Sequence, residues 1–418
     1  MRDVSRARLP LRLGLVCLTA ISVSLPMAWI SLAKVMLFVL ALTSMLGQIK
    51  RRESDSALHL LWTPWALVLL LMGSALSMAW SDADLPSALL TFVKHSKLLE
   101  IVLLISLIRT AVEARIAITA FAIGQAFMLL SSWLMFVGVD VPWHANAPTP
   151  YVVFSTYLDQ SIMFATSASV FWHLRSEKMW SPFVGTIGAA LAISSTLLVL
   201  EGRSGYLVAL AALALVIMWT VPRRQRLAAF VIAPIFILTV VALGSVQVQE
   251  RIGKIVTESL NFAKTHKVEE RDSSGWRLNA WYRSVQAIVD KPLQGYGVGS
   301  WTFAVKQLEG NTKTGMFGEG NQSNPHQEFL LWGVELGVGG LLLFISSLVC
   351  MARDALRFPR PVKRATLAVL VAITIACLFN SALYDDLLGD FLVVTLGLLM
   401  ALGVRSAMES ERETGVVS

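Results

Sequence analysis

Apolar runs of about 20 residues, the length a helix needs to cross hydrocarbon, recur along the chain between short polar breaks. They lie at about 11–25, 28–46, 60–80, 88–108, 111–139, 152–173, 182–200, 206–221, 227–246, 329–351, 365–383 and 387–404. They predict an all-α polytopic integral membrane protein with about 12 transmembrane helices. A barrel would show short alternating strands instead. Pro26 separates the first two runs. One long polar interval breaks the rhythm and divides the chain into 1–246, with helices one to nine, a loop at 247–328, and 329–418, with helices ten to twelve.

That loop is patterned. Arg277, Trp281, Ser284, Val285 and Ile288 follow helical spacing, so 274–289 reads as an amphipathic helix with Ser273 or Ser274 as N-cap. Asp290-Lys291-Pro292 ends it. A second helix is expected at 249–262, lying against the membrane. Gly295, Gly297 and Gly299 permit positive φ and close backbone approach.

Composition narrows the class. Hydrophobic residues make up 55% and charged residues 15% of the chain, too little polar surface for a soluble protein of this length. The net charge of +7 raises nucleic acid as a partner. Loop charge explains it otherwise. One set of alternating loops carries Arg2, Arg6, Arg8 and Arg12, then Lys50-Arg51-Arg52, Arg109 with Arg115, Arg175 with Lys178, Arg223-Arg224 with Arg226, Arg353 to Arg364, and Arg405. Short loops of the other set are acidic or nearly neutral. The positive-inside rule then places both termini in the cytoplasm and the long loop outside. No nucleic acid partner is needed. The basic N-terminus reads as an uncleaved first span. Cys17, Cys350 and Cys377 lie in apolar runs and make no disulfide framework or zinc spacing.

Against that topology, a few polar residues stand out. Arg203, between Gly202 and Ser204-Gly205, is an arginine in a very short outer loop. Its bland reading is a snorkelling span end. Its functional reading is an anion site, because guanidinium can hold phosphate with two parallel hydrogen bonds. Arg277, on the same side, adds charge to neutralise a pyrophosphate. Arg271 and Arg283 are supporting cations or solvated charges. Trp276, Trp281 and Tyr282 read as interface anchors, with sugar stacking the weaker alternative. His326, just before the tenth span, offers an imidazole that is neutral near pH 7, with Glu328 and Glu335 close enough to tune it. Asp82 and Asp84 form an Asp-x-Asp pair better read as a solvated loop than as a metal site. Lys94, His95, Lys97 and Glu100 in the fourth span read either as the lining of a wet cavity or as a buried pair such as Lys97 with Glu100, and Asp159 and Gln160 in the sixth span are candidates for the same cavity. No metal or cofactor is called for.

Gly202-Arg203-Ser204-Gly205, Arg277-Leu278-Asn279-Ala280-Trp281 with Pro292 to Ser300, and His326-Gln327-Glu328-Phe329-Leu330 with Glu335 to Leu341 occur in that order. In this the chain resembles the O-antigen ligase / O-antigen polymerase superfamily of bacterial inner-membrane proteins, over about 187–344. Gly202 stands where such proteins often have Ser, and Gln327 where they often have Asn. The resemblance implies a GT-C-like, metal-independent, inverting glycosyltransferase with a periplasmic site. Its donor would be a glycan on undecaprenyl pyrophosphate and its acceptor a sugar hydroxyl of lipid A–core. It implies His326 as general base and Arg203 and Arg277 on the pyrophosphate. Arg271, Arg283, Trp281, Tyr296, Gln327 and Glu328 stand as supporting candidates. The single large loop near the C-terminal end favours ligase over polymerase or protein O-oligosaccharyltransferase. A transporter of an anionic lipid-linked glycan is the rival from another class, although the paired inverted repeats common in transporters are not visible. A structural envelope partner is the third reading.

Overall fold

The computed structural model describes residues 2–51, 56–143, 150–200, 202–228, 273–309 and 324–413, with isolated positions between 231 and 264. The described residues form helices and turns, without strands. In chain order the helices are α1 (Arg2–Ser22), α2 (Met27–Arg51), α3 (Ser56–Leu60), α4 (Thr63–Ser77), α5 (Leu85–Ser96), α6 (Leu99–Leu107), α7 (Ala111–Phe136) and α8 (Tyr157–Leu174). They continue as α9 (Pro182–Ser194), α10 (Arg203–Thr220), α11 (Ser273–Asp290), α12 (Trp301–Glu309), α13 (Glu328–Ala355), α14 (Arg360–Phe379) and α15 (Asp386–Glu413).

Among the described residues, eight helices are long and apolar enough to cross a membrane. They correspond to the second, third, fifth, seventh, eighth, tenth, eleventh and twelfth predicted runs. The other four differ for separate reasons. The first run has a shorter apolar helix, Leu11–Ser22. The fourth is broken near Lys97 into α5 and α6. The sixth is α8, which carries buried Asp159, Gln160, Thr166, Ser167 and His173 and is enclosed by protein rather than lipid. The ninth, at 227–246, falls largely outside the described residues, as do Arg271 and most of the helix expected at 249–262.

The bundle is built around α15, whose apolar window is wholly buried. It packs on α6, α7 and α14, while α8 packs on α9, α10 and α14. Helices at the rim show the opposite pattern. On α4, Trp65, Leu69, Met72 and Leu76 face outward, and Leu67, Leu70 and Leu71 face in. An exposed stripe of that kind suits hydrocarbon, not water. Inside, polar contacts join the helices: Gln125 donates to Ser24 Oγ (2.7 Å) and accepts from Ser167 Oγ (3.0 Å).

The two ends of the bundle are built differently. At one end Arg12 pairs with Glu113, Arg405 Nε donates to the Ile108 carbonyl (2.8 Å), and Arg364 donates to the Trp219 carbonyl (3.2 Å). At the other lie the 78–84 turn, the first turns of α8 and α10, α11, and the 292–300, 324–327 and 380–385 segments. The predicted amphipathic helix is present as α11. Ser274 sits inside it rather than capping it.

Candidate active site

Three features of local sequence shape this end. The first is the close packing of α10 on α8. A Cβ at Gly202 or Gly205 would overlap Ser161, so only glycine lets the first turn of α10 approach. Arg203 is the first residue of that helix. A π-turn at Ser195–Val199 ends the preceding span and delivers the chain to this point.

The second is a break in α13. Gly337 has φ +66° and ψ −164°, which opens the helix and frees the carbonyls of the buried turn before it. The 292–299 loop fills the gap. Tyr296 N–H donates to the Val334 carbonyl (2.9 Å), Gly297 N–H to the Glu335 carbonyl (2.8 Å), and Val338 N–H to the Pro292 carbonyl (2.8 Å). The three glycines are therefore joints between loop and bundle. Gly297 has φ +87°, and a Cβ there would collide with the Ser81 backbone.

The third is the turn before α13. His326 has φ +50°, a conformation uncommon for a non-glycine residue. It is held because its N–H donates to Asn324 Oδ1 (2.9 Å). The 380–385 segment fastens the same turn: Gln327 N–H donates to Ser381 Oγ (3.1 Å), and Glu328 Oε2 accepts from the N–H groups of Leu383 and Tyr384 (3.2 Å each).

These elements bring the leading candidates together. Arg203 Nη1 donates to Ser274 Oγ (3.3 Å), one turn before Arg277 on α11. Arg277 interacts electrostatically with Arg203, and its guanidinium is pushed below the ordinary arginine range, first by burial and then by that like charge. His326 Nδ1 lies 2.9 Å from Asn380 Oδ1, and the ring meets Trp276 edge-on at 5.4 Å. Burial lowers the His326 pKa and Arg277 lowers it further, while Asn380 and Asp385 act to raise it. Arg277 is thus within electrostatic reach of both Arg203 and His326. The cluster is two guanidinium groups beside one largely neutral imidazole, with Asp385 at its edge. Asp159 interacts with Asp385. Such a site can hold a multivalent anion next to a base.

The supporting candidates divide. Trp281 Nε1–H donates to the Pro325 carbonyl (3.1 Å), steadying the His326 turn. Gln327 caps α13 through Leu330 N–H. Glu328 is buried under the 380–385 segment and braces it. Tyr296 is buried in a small core, its hydroxyl on Asp290, and Arg283 donates to Gln286 (3.0 Å). The sequence pattern does not single out Asn380, and it marks Ser274 only as a helix cap, not as a partner of Arg203. Both are small polar residues at helix ends, where polarity is ordinary.

Other readings change. Lys97 does not pair with Glu100 by a hydrogen bond; Nζ reaches the Asp385 carbonyl (2.5 Å) and lies 3.8 Å from Asp390. Asp82 pairs with Lys291 (2.6 Å), and Asp84 caps α5. Among the described residues no group of three or more His, Cys, Asp or Glu is placed to hold a metal.

Residues 187–345 match the model of the family described as O-antigen ligase. The match spans Arg203, Arg277 and His326 and stops before Asn380 and Asp385. No curated protein matches the chain.

Proposed function

We propose, from the match of residues 187–345 to the O-antigen ligase family model, that this multi-pass membrane protein transfers a glycan from undecaprenyl pyrophosphate to a sugar hydroxyl of lipid A–core. The observation that carries the reading is the convergence of three residues: Arg203 bonds Ser274, one turn from Arg277, and Arg277 lies within electrostatic reach of both Arg203 and His326. Arg203 and Arg277 bind the pyrophosphate and stabilise the charge that grows as the sugar C1–O bond breaks. The acceptor oxygen attacks C1 from the opposite face, so the anomeric centre inverts. His326 takes the proton from the acceptor hydroxyl. Undecaprenyl pyrophosphate leaves with the bonding electrons. The donor is already activated, and two guanidinium groups supply the charge that a divalent ion would otherwise supply.

Charge supports the orientation. The basic loops gather at the end of the bundle opposite the site, and the positive-inside rule favours reading that end as cytoplasmic and the site as periplasmic; a periplasmic site on a multi-pass chain fits an inner-membrane enzyme. Purified protein with a defined lipid-linked donor and lipid A–core tests the reaction, and the absence of a bilayer to cross separates transfer from transport. Arg277→Ala and His326→Ala are each expected to lose most transfer. Near-normal transfer by either variant would defeat the assignment. A null strain with lipid-linked polymer and a bare core indicates a ligase; cores capped by a single repeat indicate a polymerase.

A further inference from the structure

We infer that Asn380 is a positioning residue that holds His326 in the Nδ1–H tautomer, leaving Nε2 as the nitrogen that accepts the proton. The inference rests on His326 being the base proposed above, but the contact with Asn380 that sets the tautomer can be tested without any transfer reaction.

A backbone neighbour fixes the orientation of the Asn380 amide. Ser381 N–H lies 3.0 Å from Asn380 Oδ1. A backbone N–H can donate to an amide oxygen but not to an amide NH2, so this contact identifies the oxygen. The same oxygen lies 2.9 Å from His326 Nδ1. An amide oxygen only accepts, so Nδ1 must carry the hydrogen. In neutral imidazole the other nitrogen then holds the lone pair.

The surroundings explain the use of an amide. Among the described residues, the charged groups that act on His326 are Arg277 from α11 and Asp385 from the 380–385 segment. Trp276 contributes an uncharged ring edge. A carboxylate at position 380 would set the same tautomer but would favour the protonated ring. The amide orients the ring without adding charge. It is itself anchored, because Asn380 N–H donates to the Ala376 carbonyl (2.8 Å), while Ser381 and the 383–384 backbone grip the segment that follows His326. The ring and its partner therefore move as one unit.

The experiment uses full-length protein in detergent, with Asn380→Ala and Asn380→Asp. Diethyl pyrocarbonate acylates unprotonated imidazole, and peptide mass spectrometry follows His326 alone as pH is varied. Asn380→Asp is expected to move the midpoint for His326 upward by about one pH unit, the size of shift that a close opposite charge produces. In transfer assays Asn380→Ala is expected to lower kcat by about 100-fold with donor KM within about twofold. Asn380→Asp is expected to recover part of that loss and to carry its acid limb to higher pH. An unmoved acylation midpoint in Asn380→Asp overturns the inference, as does Asn380→Ala with kcat near that of the parent. If Asn380→Ala does not fold, the nearly isosteric Asn380→Asp decides by acylation alone. A shifted midpoint together with undiminished transfer by His326→Ala keeps the Asn380–His326 contact and removes the proposed function.

Discussion

His95 Nε2 and Glu335 Oε2 lie 2.9 Å apart in the bundle interior, although 240 residues separate them in the chain. The other carboxylate oxygen accepts the N–H of Gly299 (3.0 Å), and the imidazole packs at a tilt against Trp332, ring centroids 4.2 Å apart. One side chain thus ties α5, the broken turn of α13 and the glycine loop that follows α11. Glu335→Ala leaves a buried imidazole and a buried N–H without their partner, a loss on the order of 3 kcal/mol. The expected outcome is a clearly lower melting temperature in detergent, with transfer falling in parallel. An unchanged melting temperature would show that the loop is held by its backbone bonds alone.

The approach of α10 to α8 supplies a second test. Gly205→Ala places a methyl on Ser161 and pushes Arg203 away from Ser274. Transfer is expected to drop by at least tenfold, on the order of 1.4 kcal/mol or more. Ser161→Gly removes the obstructing side chain at a helix cost of about 1 kcal/mol. The double variant should therefore transfer better than Gly205→Ala alone. Strictly additive losses would refute this account of the glycines.

How much of this was legible beforehand depended on where the cause of each feature lies. Arg203 and His326 stood out because a charge or an imidazole at the edge of an apolar run is conspicuous against its neighbours. Arg277 sat on a helix whose period is visible in the residues themselves. The interruptions were hidden for the opposite reason. Leu98 to Ile108 continues the same apolar run through the break at Lys97, and that lysine turns away because it meets the Asp385 carbonyl, a contact no local pattern contains. The opening at Gly337 is equally silent, since glycine is common in membrane helices. Glu328 was expected to tune His326, yet its carboxylate braces Leu383 and Tyr384.

Two neighbouring guanidinium groups without an anion repel each other, and burial of Arg277 sharpens the effect. Anion binding should then stabilise the protein. Inorganic pyrophosphate at 100 times its Kd would contribute about 2.7 kcal/mol. The melting temperature of the parent protein is expected to rise on titration with pyrophosphate. Arg203→Gln and Arg277→Gln should be at least as stable as the parent without ligand and should lose the response. Arg283→Gln, whose side chain serves Gln286, should keep it. A response that survives both Arg203→Gln and Arg277→Gln would place the anion elsewhere.

The pH dependence carries a sign that can be fixed in advance. His326 works as a base only when neutral, and burial together with Arg277 lowers its pKa from the ordinary value of about 6.5. Transfer should be flat near neutrality and fall as pH drops through that lowered value. Stability follows the same direction. The unfolded chain protonates this histidine first, so its contribution is fully present above about 6.5, declines as pH falls towards the folded value, and is level below it. Neighbouring charge then divides two variants. Arg277→Gln removes a cation that disfavours the protonated ring, so the acylation midpoint of His326 should move to higher pH. Asp385→Asn removes an acid whose ionised form favours that ring, so the midpoint should move to lower pH. Burial also holds the Asp385 carboxyl above the usual carboxylate range, so this second shift is the smaller and is best measured where Asp385 is still ionised. Movement of both midpoints in one direction would mean that neither charge acts on His326 through space, and the two groups would have to be assigned to separate sites.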